Sequence, residues 1–321
     1  MTVQSPNPDQ MRLIAQVLSL HYEEGRLQSQ IAKELALSTA KVNRLIKQGR
    51  ELGMIQITIN SPLLKYFDLE REIAKRWNLK KCLVVSSVTG SPQATLNEVG
   101  KGAASLLMDS IRDGDTIAIS GGKTLSTMIE NLSTASKFDV RITPLTGGVQ
   151  GQHYTDVNHL ATELANKLSG EATLIHAPLH ATTEEERDII MSLKSVQAVM
   201  DQSRQADIAI VGIGAVAGAD STYYTAQPVS EVERQRLYRS GVRSEFLGHL
   251  IQKDGSASGN TYNSRLVSMP PRDLVNIPVS IAIASGPEKV EPIAAALNGG
   301  YFNSLVTDEH TANTLLHKEA D

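Results

Sequence analysis

Apolar residues in the first sixty positions recur at helical spacing in three blocks. Met11, Ile14, Ala15, Val17, Leu18 and Tyr22 line one stripe and predict a helix from about Pro8 to Glu24, closed by Gly25. Ile31, Ala32 and Leu35 predict a short second helix over Gln28–Leu35. Ser38 is a suitable N-cap for a third, Thr39–Leu52, with Val42, Leu45 and Ile46 inward and Gly53 beyond it. From Met54 to Asn60 the period falls to two: Ile55, Ile57 and Ile59 alternate with Gln56, Thr58 and Asn60, as in a strand. Two helices, a turn, a third helix and a β ribbon make the pattern of a winged helix-turn-helix. Pro62 then interrupts the chain. Leu63–Trp77 predicts an amphipathic helix, with Leu64, Phe67, Ile73, Ala74 and Trp77 opposed to Lys65, Asp68, Glu70, Arg71, Glu72, Lys75 and Arg76.

From Lys81 the blocks alternate between strand and helix. Strands are predicted at Cys82–Ser86, Thr116–Ser120, Val140–Leu145, Thr173–His176, Asp207–Ile213, Val279–Ala284 and Ser304–Val306. Helices are predicted at Ala94–Ile111, Leu125–Leu132, Asp156–Leu168, Glu184–Ser203, Glu288–Leu297 and Glu309–His317. Short, unbroken apolar strands between helices imply a parallel sheet covered on both faces. Phe246–Val267 reads as an antiparallel hairpin around Asp254-Gly255 and Ser258-Gly259. The fold class is therefore α/β. A winged helix-turn-helix over residues 1–60 and a connecting helix over 61–80 precede a doubly wound, mostly parallel effector domain over 81–321.

Charge sharpens the first block. The 321-residue chain has a net charge of −4, yet residues 1–60 hold seven Lys and Arg against five Asp and Glu. Lys41, Arg44, Lys47 and Arg50 occur with no acid between them. The second helix of a helix-turn-helix enters the major groove of DNA. Ser38, Thr39, Lys41, Asn43 and Arg44 are placed to meet base edges and nearby phosphates, since Asn pairs with adenine and Arg with guanine. Lys47 and Arg50 lie further along, toward the backbone. Gln28 and Ser29, at the start of the preceding helix, can donate to phosphate. A solvated helix face would carry the same charges; the three-helix spacing is what points to double-stranded DNA.

Three predicted strands run into glycine turns: Ser120-Gly121-Gly122-Lys123-Thr124, Thr146-Gly147-Gly148-Val149 and Ser285-Gly286-Pro287-Glu288-Lys289. Ligands of open parallel sheets sit at the carboxyl ends of strands. Exposed turn amides and the next helix N-terminus form an anion cradle, to which Lys123 and Lys289 add charge and Thr124 a hydroxyl. A glycine pair after a strand also serves as an ordinary tight turn. Gly122-Lys123-Thr124 ends like a P-loop but lacks its first glycine, so a nucleotide is not expected. Glu245 is a candidate acceptor for ligand hydroxyls. Gln152, His176 and His180 follow strands that end on the same side. His153 and His159 lack carboxylate partners at metal spacing, and no metal or cofactor is expected.

The remaining composition excludes other classes. One cysteine, Cys82, cannot make an internal disulfide, which fits a reducing cytoplasm. Residues 1–10 have no apolar core of a signal peptide. The longest apolar run, near Ile208–Ala219, is too short for a bilayer, which needs about 20 residues. A soluble cytoplasmic protein without a membrane partner is expected.

Several segments resemble the SorC family of bacterial sugar-responsive transcriptional regulators. These are Leu27–Ala32, Ser38–Ile46 and Gly53–Ile57 in the head. In the body they are Leu145–Val149, Ala177–Leu179, Ala206–Gly214 and Gly299–Asp308. The resemblance implies a body folded like sugar-phosphate isomerases and deaminases, tetramers built as dimers of dimers, and a phosphorylated sugar or polyol effector that changes operator affinity. It places phosphate near Gly121–Thr124, Gly147–Gly148 and Gly286–Lys289, and an acidic hydroxyl reader at Glu245, where many members carry Asp. The competing reading is an isomerase or deaminase with a fused DNA-binding head. Such an enzyme needs a compact acid/base set, and only Glu245 and scattered histidines are available. A DNA-binding scaffold with no ligand is the third.

Overall fold

The apolar stripes of the amino-terminal block become three helices, α1 (Pro8–Tyr22), α2 (Gln28–Glu34) and α3 (Thr39–Glu51), in a computed structural model that describes residues 7–57, 61, 63–149, 156–216 and 229–317. Asn7 caps α1 by accepting from the Gln10 amide at 2.8 Å, and Pro8 occupies its first turn. Ser38 caps α3 by accepting from the Lys41 amide at 3.2 Å, as its sequence position requires. The turn between α2 and α3 passes through Ala36 at φ 53. Ile14, Val17, Leu18, Ile31, Val42, Leu45 and Ile46 form the buried core. At Gly49 of α3 a Cβ would stand 2.6 Å from Leu18 Cδ1 and 2.9 Å from Ile14 Cγ2, so only glycine lets α3 lie this close to α1. The expected ribbon differs. Met54–Ile57 forms no strand, and half-buried Met54 and Ile55 pack on the helical core instead. Thr58–Asn60, its outer half, lies outside the described residues.

The chain divides at Leu64 into two compact units. The helix α4 (Leu64–Trp77) lies from Lys65 onward in the second unit. Glu70 Oε1 on α4 accepts from the Val84 amide at 2.9 Å, and Trp77 Nε1 donates to Asn298 Oδ1 at 3.0 Å.

Six of the seven predicted strands form in the sheet, and a two-residue strand just before Thr173–His176 takes the place of the other: the strands are β1 (Lys81–Val85), β2 (Thr116–Ile119), β3 (Arg141–Pro144), β4 (Glu171–Ala172), β5 (Ile208–Gly212), β9 (Val279–Ile283) and β10 (Ser304–Asp308). Their order is β1-β10-β9-β5-β2-β3-β4, and every pairing is parallel. Ile208, Ala209, Ile210 and Val211 are all buried. Consecutive strand residues point to opposite faces, so both faces are covered. β4 at this sheet edge is shorter than the predicted Thr173–His176 and ends just before it. Helices α5 (Pro92–Met108), α6 (Lys123–Asn131), α7 (Val157–Leu168), α11 (Val290–Asn298) and α12 (Glu309–His317) match the sequence closely. The single helix expected over 184–203 is two, α8 (Glu184–Ser192) and α9 (Lys194–Arg204), broken at Leu193 with ψ 128. A further helix, α10 (Glu231–Arg239), was not expected.

A second sheet of three antiparallel strands comprises β6 (Gly214–Ala215), β7 (Val242–Phe246) and β8 (His249–Gln252). Its hairpin turns at Leu247-Gly248, with φ 55 and 79, and not at Asp254-Gly255 as the sequence suggests. This correction matters because Glu245 lies in β7, one residue before Phe246 meets His249.

Candidate functional site

The sheet places its ends in a particular order. From β2 the chain runs outward through β3 and β4; from β5 it runs outward the other way through β9 and β10. The strand order reverses between β2 and β5, the position where open α/β sheets bind ligands. Ser120 spans this crevice: its amide donates to the Ile210 carbonyl at 3.1 Å, and its Oγ accepts from the Gly212 amide at 3.2 Å.

The first glycine turn leaves this crevice directly into α6. Gly122 has φ 121, which a side chain disfavours, and a Cβ there would meet nothing within 4 Å. Among the described residues no side chain caps α6. The amides of Lys123, Thr124 and Leu125 therefore have no partner within the helix, and the positive end of the helix dipole lies behind them. Lys123 is exposed and Thr124 half-buried beside them.

The other two turns do not offer an amide cradle. The Gly147 amide donates to the Val267 carbonyl at 2.8 Å and that of Gly148 to Ala177 at 2.9 Å. The Val149 amide goes to Asp156 at 3.0 Å. Gly147 is glycine because a Cβ would approach the Pro178 carbonyl oxygen to 2.4 Å. In the third turn the Gly286 amide donates to Asp308 Oδ2 at 3.0 Å and Thr311 Oγ1 at 2.9 Å. Both turns fix backbone crossings, and only Lys289 of the third supplies a free-standing cationic side chain.

Glu245 on β7 lies within electrostatic reach of Lys289 in the third turn. It is half-buried, opposite Gly214, where a Cβ would clash with its Oε2. Oε1 accepts from the Gly248 amide at 2.9 Å. Burial raises its pKa to about 7, against the lowering effects of that amide and of the Lys289 charge. Lys289 is lowered by burial, while Glu288 and Glu245 act the other way. Glu245 and Lys289 thus converge from β7 and from the turn after β9. His180 stands apart: burial lowers its pKa to about 4, and its segment pairs with Leu266. It groups with His249, also lowered to about 4 by burial and repelled by Arg187 and His180. His176 is exposed, and Gln152 and His153 lie outside the described residues. Cys82 is a core thiol, pushed up to about 12 by burial. Among the described residues no cluster of three metal-ligating side chains occurs. Two clefts, of about 490 and 990 Å³, lie at the amino ends of the strands, lined by Cys82 and Leu83 and by Ser280 and Asn303, and share no residue with these turns. The pairings of Ser120, His249 and Asp308 are not legible in the sequence, because they join distant segments.

In the head, Ser29, Ser38, Thr39, Asn43, Arg44 and Lys47 are exposed, and Gln28 and Lys41 half-buried. Ser38 Oγ is engaged as the cap. Lys47 stands 3.8 Å from Glu51. Arg50, expected at the DNA backbone, instead donates from Nε to the Tyr22 hydroxyl at 2.9 Å and stacks on its ring. That leaves Lys41, Arg44 and Lys47 as the cationic face of α3.

A three-helix head joined in one chain to a parallel α/β body is the architecture expected of a ligand-responsive DNA-binding regulator. Residues 61–317 match the sugar-binding domain family. The chain belongs to this family and, with it, to the SorC family of sugar-responsive transcriptional regulators; it is not an enzyme. It is 32 % identical to the transcriptional regulator LsrR of Klebsiella pneumoniae, over 95 % of this chain and 92 % of that one. It is 31 % identical to the sorbitol operon regulator of Klebsiella pneumoniae, over 97 % and 99 %. The crystal structure of full-length SorC, that sorbitol operon regulator, superposes with a TM-score of 0.75 at 31 % identity, covering 97 % of this chain and 100 % of that one. Among the described residues no helix is long and apolar enough to cross a membrane.

Proposed function

We propose that α3 binds operator DNA in the major groove and that a sugar, sugar phosphate or polyol at the strand ends sets the operator affinity. The observation that carries this is the start of α6, with no side-chain cap among the described residues, at the strand-order reversal; Glu245 and Lys289, which act on each other electrostatically, supply the polar groups. The amides after Gly122, with Thr124 and the Lys123 and Lys289 charges, suit a phosphate. Glu245, near neutrality at physiological pH, can donate to or accept from a sugar hydroxyl. Gly121, Gly147, Gly148 and Gly286 shape the floor, and His180 belongs to the neighbouring wall. The head acts as a winged helix-turn-helix, with Gln28, Ser29, Ser38, Thr39, Lys41, Asn43, Arg44 and Lys47 on the duplex side. The body follows the plan of sugar-phosphate isomerases without their chemistry.

The protein works as a homotetramer, a dimer of dimers, in the cytoplasm, with no cofactor. Dimeric heads must match half-sites about one helical turn apart or multiples of it. The effector acts through its different affinity for two arrangements of the bodies. A thermal-shift screen of phosphorylated and free sugars and polyols tests this, followed by operator titration with the best hit. A true effector at a hundred times its Kd stabilises by about 2.7 kcal/mol. A screen with no hit, or equal operator affinity with and without the hit, rejects the reading.

A further inference from the structure

Asp308 ends β10 and is only 2 % exposed. A carboxylate so buried is stable only if its lone pairs are filled. Here they are. Oδ1 accepts from Ser87 Oγ at 2.6 Å, the His310 amide at 3.1 Å and the Thr311 amide at 3.2 Å. Oδ2 accepts from Thr311 Oγ1 at 2.5 Å and the Gly286 amide at 3.0 Å. Burial alone would raise its pKa, but these donors hold it below the ordinary value. One carboxylate therefore joins three segments: the loop after β1, the turn after β9 and the start of α12.

The contact with Gly286 has a consequence beyond packing. Gly286 is held at φ 109, and the short helical turn Pro287–Lys289 begins immediately after it. The Lys289 amide donates back to the Gly286 carbonyl at 3.0 Å. The direction in which Lys289 leaves the backbone is thus set by the one peptide that Asp308 and Thr311 grip.

We infer that Asp308, acting with Thr311, is a positioning residue for the effector site: it fixes the Gly286 turn so that Lys289 meets the anion. This rests on the anion reading above. The two effects of removing the charge oppose each other, which makes the inference testable. Asp308→Asn deletes a negative charge near an anion site, so electrostatics alone predicts tighter binding of phosphate. Loss of positioning predicts weaker binding, because Asn Nδ2 cannot accept from the Gly286 amide.

The test is calorimetric titration of the full chain with inorganic phosphate, alongside melting temperature and hydrogen exchange over residues 284–290. Asp308→Asn and Thr311→Val are expected to weaken phosphate about tenfold, the scale of one charge-assisted hydrogen bond, and to speed exchange in that segment. Ser87→Ala, whose hydroxyl donates to Oδ1 and accepts from the His310 amide but does not reach Oδ2 or Gly286, is expected to lower the melting temperature without changing phosphate affinity. Unchanged or tighter phosphate binding by Asp308→Asn and Thr311→Val overturns the inference alone. Equal weakening in Ser87→Ala also overturns it, reducing Asp308 to general support. Failure of the parent protein to bind phosphate at all overturns the anion reading, and this inference with it.

Discussion

Glu245 keeps a proton in the folded chain that the unfolded chain has released. Its ordinary pKa of 4.5 rises to about 7, chiefly through burial. Its contribution to stability is thus complete below pH 4.5 and is lost as the pH rises through 7. Glu245→Gln should flatten that slope, so the body's melting temperature should vary less between pH 4.5 and 8 than in the parent. An identical profile would show that the proton sits elsewhere. Leu247 poses a different balance. At φ 55 it carries a left-handed strain of about 1–2 kcal/mol. It is also 3 % exposed within the main core, and deleting a buried leucine side chain costs about 2–5 kcal/mol. Packing outweighs strain. Leu247→Gly should therefore destabilise by about 1–3 kcal/mol in urea denaturation, although it relieves the backbone; a stabilised variant would reverse that ranking.

At the scale of elements, α3 answers to two demands, seating against α1 and presenting cations outward. Gly49→Ala would force its methyl into Leu18 and Ile14, and overpacking of this kind costs about 1–3 kcal/mol. The loss should appear in the head's unfolding transition and leave effector-induced stabilisation of the body intact. Arg44→Ala leaves the packing alone and should weaken operator binding by about 1–3 kcal/mol at fixed salt if the guanidinium reads a base. Equal affinity would remove Arg44 from the contact set.

Elements also show what a chain discloses before it folds. The central strands are legible because strands buried on both faces are unbroken runs such as Ile208–Val211, whereas the exposed edge strand β4 has no such run. The α3 boundaries were legible because Ser38 and Gly53 punctuate them. The hairpin was misplaced because Asp254-Gly255 advertises a turn, whereas the actual turn uses a leucine in a conformation its own preferences oppose. The helix α10 escaped notice because only Leu237 in it is buried, leaving no stripe to detect. In the site, Gly121–Thr124, Glu245 and Lys289 could be nominated from residue type. That the Gly147, Gly148 and Gly286 amides are already engaged could not, since their partners lie 22 to 120 residues away.

For the whole molecule, linkage imposes a symmetry on regulation. If effector changes operator affinity by some factor, operator must change effector affinity by the same factor. Titrating effector with and without saturating operator, then operator with and without effector, should return one number, typically within 5–150-fold. Two different numbers would mean that an assembly step enters one titration and not the other.

The bond from Glu70 to Val84 bears on solubility as well as on folding. Among the described residues β1 has no neighbour on its outer side, and an outermost strand is a template on which another chain can add. One carboxylate from the helix alongside occupies an outward-pointing amide there. Glu70→Ala should uncover that template and raise concentration-dependent light scattering on storage, with little change in how the protein answers its effector. A variant that stays monodisperse would assign the protection to the bulk of the helix rather than to its acid.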